Sequence, residues 1–118
     1  MTHYAITKEF HFSASHVLHG LPEGHQCARL HGHNYVVAVQ LEAHGLDARG
    51  FVFDYGDLAP LGQYIDSTFD HRHLNDTLTQ PTAEHLAEHL AQKCRQMGWP
   101  VTAIGVSETP KTWAWFHL

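Results

Sequence analysis

Cysteine is scarce in this chain, which has only Cys27 and Cys94 among its 118 residues. Two thiols are too few for a disulfide framework, and their scarcity fits a reducing compartment. Positive charge is scarce too. Seven Lys and Arg stand against twelve Asp and Glu, a net charge of -5 with histidine neutral, so no basic stripe is available for a phosphate backbone. Nucleic acid is therefore not an expected partner. No apolar run approaches the roughly 20 residues of a membrane-spanning helix, and the first residues show no basic segment followed by an apolar one. The expectation is a cytoplasmic chain without a membrane partner.

What the chain has in abundance is histidine, 13 residues in all. They are scattered rather than gathered in a tract, so most read as surface residues, and only those with a geometric reason are candidates for chemistry.

The length allows one domain, 1–118, with a modest core. Residues 3–16 alternate as a strand, with Tyr4, Ile6, Phe10, Phe12, Ala14 and His16 on one face and Lys8 as an exception that marks an edge. A connection over 17–30, broken by Gly20, Pro22 and Gly24, is longer than most and so suggests a function. A second strand runs from His33 to about Ala43, and a turn near 45–50 leads to a short strand Phe51–Phe53. Asp54 is placed to cap a helix whose buried stripe is Leu58, Leu61, Ile65 and Phe69 and whose end is near Thr68.

Residues 70–75 follow neither period and read as a loop. Pro81 and Thr82 open a second helix with the stripe Ala83, Leu86, Ala87, Leu90, Cys94 and Met97, and Gly98 ends it. Strands Thr102–Glu108 and Thr112–Leu118 close the chain. This order predicts an α+β fold, a four-stranded antiparallel sheet with two helices packed on one face. The last strand carries large apolar side chains on both sides, so further copies of the chain are expected to cover it.

His31 and His33 lie one residue apart and so project from the same side of a strand. His16 ends the preceding strand, and antiparallel pairing would set it beside both. Singly, each reads as an ordinary histidine; together they predict a metal centre, three imidazoles with an open position as in catalytic zinc sites.

Cys27 sits on the long loop beside them, where a neighbouring cation favours thiolate, although a lone cysteine is more often a small buried hydrophobe. Cys94 is on an apolar helical stripe and takes that structural reading. Asp70 and His71 are either a surface pair or a carboxylate orienting an imidazole for proton transfer near neutral pH. Glu108 interrupts an apolar strand face. It marks either the exposed end of the strand or an acceptor for an amidine-like ligand edge, as in a pterin or guanine. Thr82 and Glu84 read first as a helix cap and a first-turn acid, with a ligand role second.

The segments Phe12–His16, Cys27-x-x-x-His31-Gly32-His33, Asp70-His71-x-x-Leu74-Asn75, Pro81-Thr82-Ala83-Glu84 and Ser107-Glu108-Thr109 occur in that order. In them the chain resembles the 6-pyruvoyltetrahydropterin synthase family over nearly its whole length. The three residues between Cys27 and His31 resemble its bacterial branch, the 6-carboxytetrahydropterin synthases of the queuosine pathway, rather than the animal enzymes with a longer insertion there. The resemblance implies a tunnelling fold in which trimers close their sheets into a barrel and stack as a homohexamer, with active sites between subunits. It implies a zinc-dependent carbon–carbon lyase that converts 7,8-dihydroneopterin triphosphate to 6-carboxy-5,6,7,8-tetrahydropterin, acetaldehyde and triphosphate.

Within that reading His16, His31 and His33 hold zinc, Cys27 takes the proton, and His71 relays one while oriented by Asp70, the pair reaching the metal of a neighbouring chain. Glu108 anchors the pterin, with Thr82 and Glu84 as further substrate contacts. Arg29, Lys111 and Lys8 are unranked candidates for the triphosphate. No hydride carrier is needed, and the absence of a G-x-G-x-x-G segment agrees. The competing readings are the pyruvoyl-forming reaction on the same fold and a histidine-rich zinc-sequestering protein without catalysis.

Overall fold

The computed structural model describes residues 3–118. Strand β1 covers Tyr4–His16 and pairs antiparallel with β2, His31–Ala43, from Tyr4 opposite Ala43 to His16 opposite His31. Alternation sorts the two strands by face. Phe12, Ala14 and His16 of β1 and Tyr35, Val37, Val39 and Leu41 of β2 are buried on one side, as a period of two requires. Lys8 lies where β1 has no outer neighbour, since the only strand on that side pairs with Ala14 and Ser15 alone.

An Asp54 side chain caps a 3-10 turn over Tyr55–Leu58 by accepting from the Gly56 N–H at 2.9 Å, and this turn runs into helix α1, Ala59–Thr68. Leu58, Leu61, Ile65 and Phe69 are fully buried, as their spacing predicted. The expected strand Phe51–Phe53 does not form. Its backbone is drawn into a turn instead: the Asp47 carboxylate accepts from the Phe51 and Arg49 N–H groups, and the Asp47 N–H donates to the Phe51 carbonyl. Local side-chain bonding of this kind competes with a ladder for the same groups.

Strand β3 is the two-residue segment Arg72–His73, parallel to β1, and a 3-10 turn over Leu74–Asp76 follows it. The sheet thus has five strands in the order β3-β1-β2-β4-β5 and is mixed, not four-stranded and antiparallel. A two-residue strand carries no period of its own, and its neighbour β1 is some 60 residues away in sequence, so the segment read as a loop.

Helix α2, Ala83–Met97, is capped by Thr82 and stopped by Gly98 at φ 74°, a backbone region that glycine enters without a Cβ penalty. Its buried stripe is the expected one with Ala91 added, except that Met97 at the helix end is exposed. Strands β4, Val101–Thr109, and β5, Thr112–His117, complete the sheet antiparallel to β2 and to one another.

Both helices cover the face that bears Phe12, Tyr35, Val37 and Ile104, and one core results. On the other face Trp113 and Trp115 stack at 5.8 Å and stay about half exposed. No helix among the described residues is long and apolar enough to cross a membrane.

Candidate metal centre and active site

The pairing of β1 with β2 sets His16 directly across from His31, and His33 across from Ala14 on the same helix-facing side. Gly32 between the two histidines suits a close approach, since a Cβ there would stand a tight 3.2 Å from the Ala14 carbonyl oxygen. The three rings stand edge to face with centroids 4.5, 4.9 and 5.1 Å apart, and one donor atom from each lies within 4.8 Å of the others.

Backbone carbonyls fix which nitrogens face inward. His16 Nδ1 lies 2.7 Å from the Pro81 carbonyl and His31 Nδ1 lies 2.6 Å from the Arg29 carbonyl. A carbonyl only accepts, so each Nδ1 carries a proton and, in the neutral ring, each Nε2 presents a lone pair. Those two Nε2 atoms face one another at 2.9 Å. His33 Nε2 is buried without a hydrogen-bond partner. Two Nε2 lone pairs that face one another with no donor between them, beside a third imidazole whose buried Nε2 has no hydrogen-bond partner, suit a cation, and carbonyls that hold ligand nitrogens from behind are the usual second shell of a metal. Burial lowers the His33 pKa and the neighbouring His16 and His31 add to this, while Glu108 opposes it. The donor set therefore fits a metal ion.

Glu108 is not the solvent-exposed end of its strand. One carboxylate oxygen accepts from the Ala83 N–H, the first of α2, at 3.2 Å, and the other lies 3.4 Å from His33 Nε2. Thr82 Oγ1 accepts from the His85 N–H at 3.1 Å, so Thr82 and Glu108 divide the free donors of this helix end, as Ncap chemistry demands. Glu84 lies exposed in the first turn, where a negative charge suits the helix dipole. Thr82→Ala is expected to lower stability by about 1 kcal/mol, with Thr82→Ser restoring most of it, measured by chemical denaturation. A larger loss in substrate affinity than in stability would move Thr82 from cap to ligand.

Cys27 lies in the 3-10 turn Gln26–Ala28 of the long loop and is partly exposed. Its N–H donates to His25 Nδ1 at 3.0 Å, and its carbonyl accepts from the Leu18 N–H at 3.4 Å. With Gln26, His31 and His33 it lines a concavity of about 290 Å³. A second concavity, about 490 Å³, opens where β2 and β4 diverge beyond the Val36–Ser107 pair and is lined by His33, Glu108, Thr109 and Trp113 among others. His33 is common to both. Cys94 is fully buried, and burial pushes its thiol up to about 12, in keeping with the structural reading.

Asp70 and His71 form the expected pair, with 3.0 Å between Oδ1 and Nδ1. Asp70 also accepts from the Ser13 N–H at 3.0 Å, and this bond and then the His71 imidazole hold its carboxyl below the ordinary range. His71 takes φ 58° and its side chain is 81% exposed. A non-glycine residue in the left-handed region carries a cost that is met here by its N–H bond to the Ser13 carbonyl. Asp70 borders a different concavity, shared with His11, Ser13 and Asn34, and neither Asp70 nor His71 lines the two that meet at His33. Arg29 is exposed on the Cys27 loop, whereas Lys8 lies over the Phe10 ring and Lys111 sits in the turn between β4 and β5.

Two positioning residues escaped the sequence reading. The Asn75 amide accepts from the Val17 N–H and donates to the Val17 carbonyl, both at 2.9 Å. Gln80 makes the same two bonds to His19, at 2.8 and 2.9 Å. Each amide thus stands in for a strand neighbour where β1 becomes the loop. Asn75 was visible inside a motif, but its role and the Pro81 and Arg29 carbonyls leave no mark in sequence, because every residue has a carbonyl.

The family model described as 6-pyruvoyl tetrahydropterin synthase matches residues 5–117. A Rickettsia bellii protein named 6-carboxy-5,6,7,8-tetrahydropterin synthase is 30% identical over 130 aligned positions, covering 88% of this chain and 93% of that protein. A Rickettsia conorii protein of the same name is 28% identical with the same coverage. The Caenorhabditis elegans 6-pyruvoyl tetrahydropterin synthase structure superposes with a TM-score of 0.86 at 27% identity, covering 100% of this chain and 97% of that one. A match over nearly every residue, with a shared fold, means that the chain belongs to the 6-pyruvoyl tetrahydropterin synthase family.

Proposed function

We propose that this chain is a zinc-dependent 6-carboxy-5,6,7,8-tetrahydropterin synthase of queuosine biosynthesis, acting on 7,8-dihydroneopterin triphosphate. The observation that carries the reading is the position of His33 between two concavities, one with Glu108 and the other with Cys27. A substrate whose heterocycle is anchored at Glu108 extends its side chain past His33 toward His16, His31 and the thiol. The names of the Rickettsia relatives and the three-residue spacing from Cys27 to His31 support the carboxy-forming branch.

Zinc held by His16, His31 and His33 supplies Lewis acidity, which acidifies the hydroxyls and adjacent C–H bonds of a substrate side chain. Cys27 accepts the proton at its sulfur. Its turn is tied to Leu18 and His25, and the loop base is clasped by Asn75 and Gln80, so the thiol is presented at a fixed place. His71, oriented by Asp70, returns a proton; since the pair does not line the His33 concavities of its own chain, it acts on the centre of a neighbouring subunit in a homohexamer. Thr82 and Glu84 border the ring site at the α2 N-terminus, and Arg29 meets the triphosphate. The cytoplasm is the compartment for these steps.

Glu108 accepts the paired N–H groups of the pterin, a task that a carboxylate fixed by the Ala83 N–H performs without reorganisation. Glu108→Gln places an NH2 against those donors. It is expected to raise KM more than it lowers kcat, with kcat/KM falling roughly 10- to 100-fold, the worth of a hydrogen bond to a charged group.

The deciding experiment incubates purified protein with 7,8-dihydroneopterin triphosphate and assays acetaldehyde, with metal content measured by mass spectrometry. Acetaldehyde in step with triphosphate is the expected result. Triphosphate without acetaldehyde would assign the pyruvoyl-forming reaction, which the likeness to the Caenorhabditis elegans structure favours. Neither product, with several loosely held zinc ions per chain, would leave a sequestering protein.

A further inference from the structure

The end of the sheet opposite the His16–His31–His33 cluster holds a second group of metal-ligating side chains that the proposed chemistry does not use. Tyr4 opposite Ala43 is the last pair of the β1–β2 ladder, so His3 and His44 continue that register just beyond it. Residues directly opposite share a face, and Glu42, two before His44, shares it as well. His3 Nε2 lies 2.6 Å from Glu42 Oε1, and the His3 and His44 rings stand edge to face at 62° with centroids 5.0 Å apart. That separation falls within the 4.5–5.1 Å spanned by the three rings of the metal centre.

We infer that His3, His44 and Glu42 form a second cation site, for a first-row divalent ion such as zinc, nickel or copper. Two imidazoles and a carboxylate are the donor set these borderline ions take, and calcium or magnesium would call for oxygen instead. Charge agrees with this: the His3 contact, then Thr102, hold the Glu42 carboxyl below its ordinary range, so it stands ionised beside two imidazoles. An ion here replaces the proton between His3 and Glu42.

The site is open where the first is enclosed. The side chains of His3 and Glu42 are 49% and 29% exposed, and among the described residues only His16, His31 and His33 bring three donor atoms within 4.8 Å. Binding there requires His44 to turn its ring, so this site is expected to be the weaker and to fill after the first. Along β1 the two are separated by roughly 40 Å, at about 3.3 Å per residue, so occupation of one leaves the other's ligands untouched. The inference stands apart from the proposed activity and survives or fails without it.

The test is equilibrium dialysis of the full chain, its first site already filled, against increasing zinc. Wild type is expected to take up a second ion per chain. His3→Gln and His44→Gln are each expected to weaken that second ion at least about tenfold, since losing even an outer-shell partner costs that much, while the first ion stays. All three changed side chains lie at the surface, including the comparison variant His11→Gln, which alters an exposed histidine on the same sheet face with a carboxylate 3.8 Å away. His11→Gln is expected to behave as wild type. The inference is overturned if wild type takes up no second ion, if both site variants keep it undiminished, or if His11→Gln weakens it as much.

Discussion

His31→Ala is expected to release the metal ion and to lower kcat/KM roughly a thousandfold or more, the several kcal/mol that a Lewis-acid centre contributes to a transition state. The reason lies in the nitrogens. His31 Nε2 presents a lone pair to His16 Nε2 at 2.9 Å with no donor between them, and one His33 nitrogen lies within 4.8 Å of a donor atom on each. Two remaining imidazoles hold an ion far less well than three, so metal analysis should show the loss directly. Folding gives an independent readout. With metal stripped from both proteins, the variant is expected to lose only about 1 kcal/mol, since truncation removes the Nδ1–H bond to the Arg29 carbonyl but also relieves one of two opposed lone pairs. A His31→Ala protein that keeps its ion and its turnover would remove the metal centre from the proposed mechanism.

Cys27→Ala is expected to separate binding from chemistry. The thiol lines the concavity with His31 and His33 but is not among the converging donors, so the variant should keep its metal ion and bind substrate. Turnover should fall roughly 10²- to 10⁴-fold, the usual contribution of a positioned general base. The loss should lie in kcat, since a proton acceptor acts in the transition state more than in the ground state. Cys27→Ser, isosteric but a far weaker acid, should recover little. Full turnover in Cys27→Ala with metal bound would assign the proton transfer to another group.

The strands and helices were legible where one face repeats at a single period over many residues. Phe12, Ala14 and His16, the Tyr35–Leu41 alternation, and the Leu61 and Leu86 stripes are all buried as their spacing requires. The turn at Asp47 and the parallel strand Arg72–His73 were not legible. The first is decided by side-chain oxygens competing for backbone donors, and the second by a neighbour distant in sequence. Met97, the last residue of α2, is exposed although it continues the spacing of the buried stripe.

The candidate site divides in the same way. By itself the sequence determined that His31 and His33 share a strand face and that His16 belongs beside them, because side-chain direction follows from a period of two and a ladder of fixed register. It also determined that a thiol is carried on the loop next to them. Only the tertiary structure decided which nitrogen His16 and His31 turn inward, through the carbonyls of Pro81 and Arg29. It also set Glu108 against His33 by way of the α2 N-terminus, and kept Asp70 and His71 away from both. Those outcomes depend on backbone groups common to every residue and on contacts between distant segments, and neither leaves a local pattern to read.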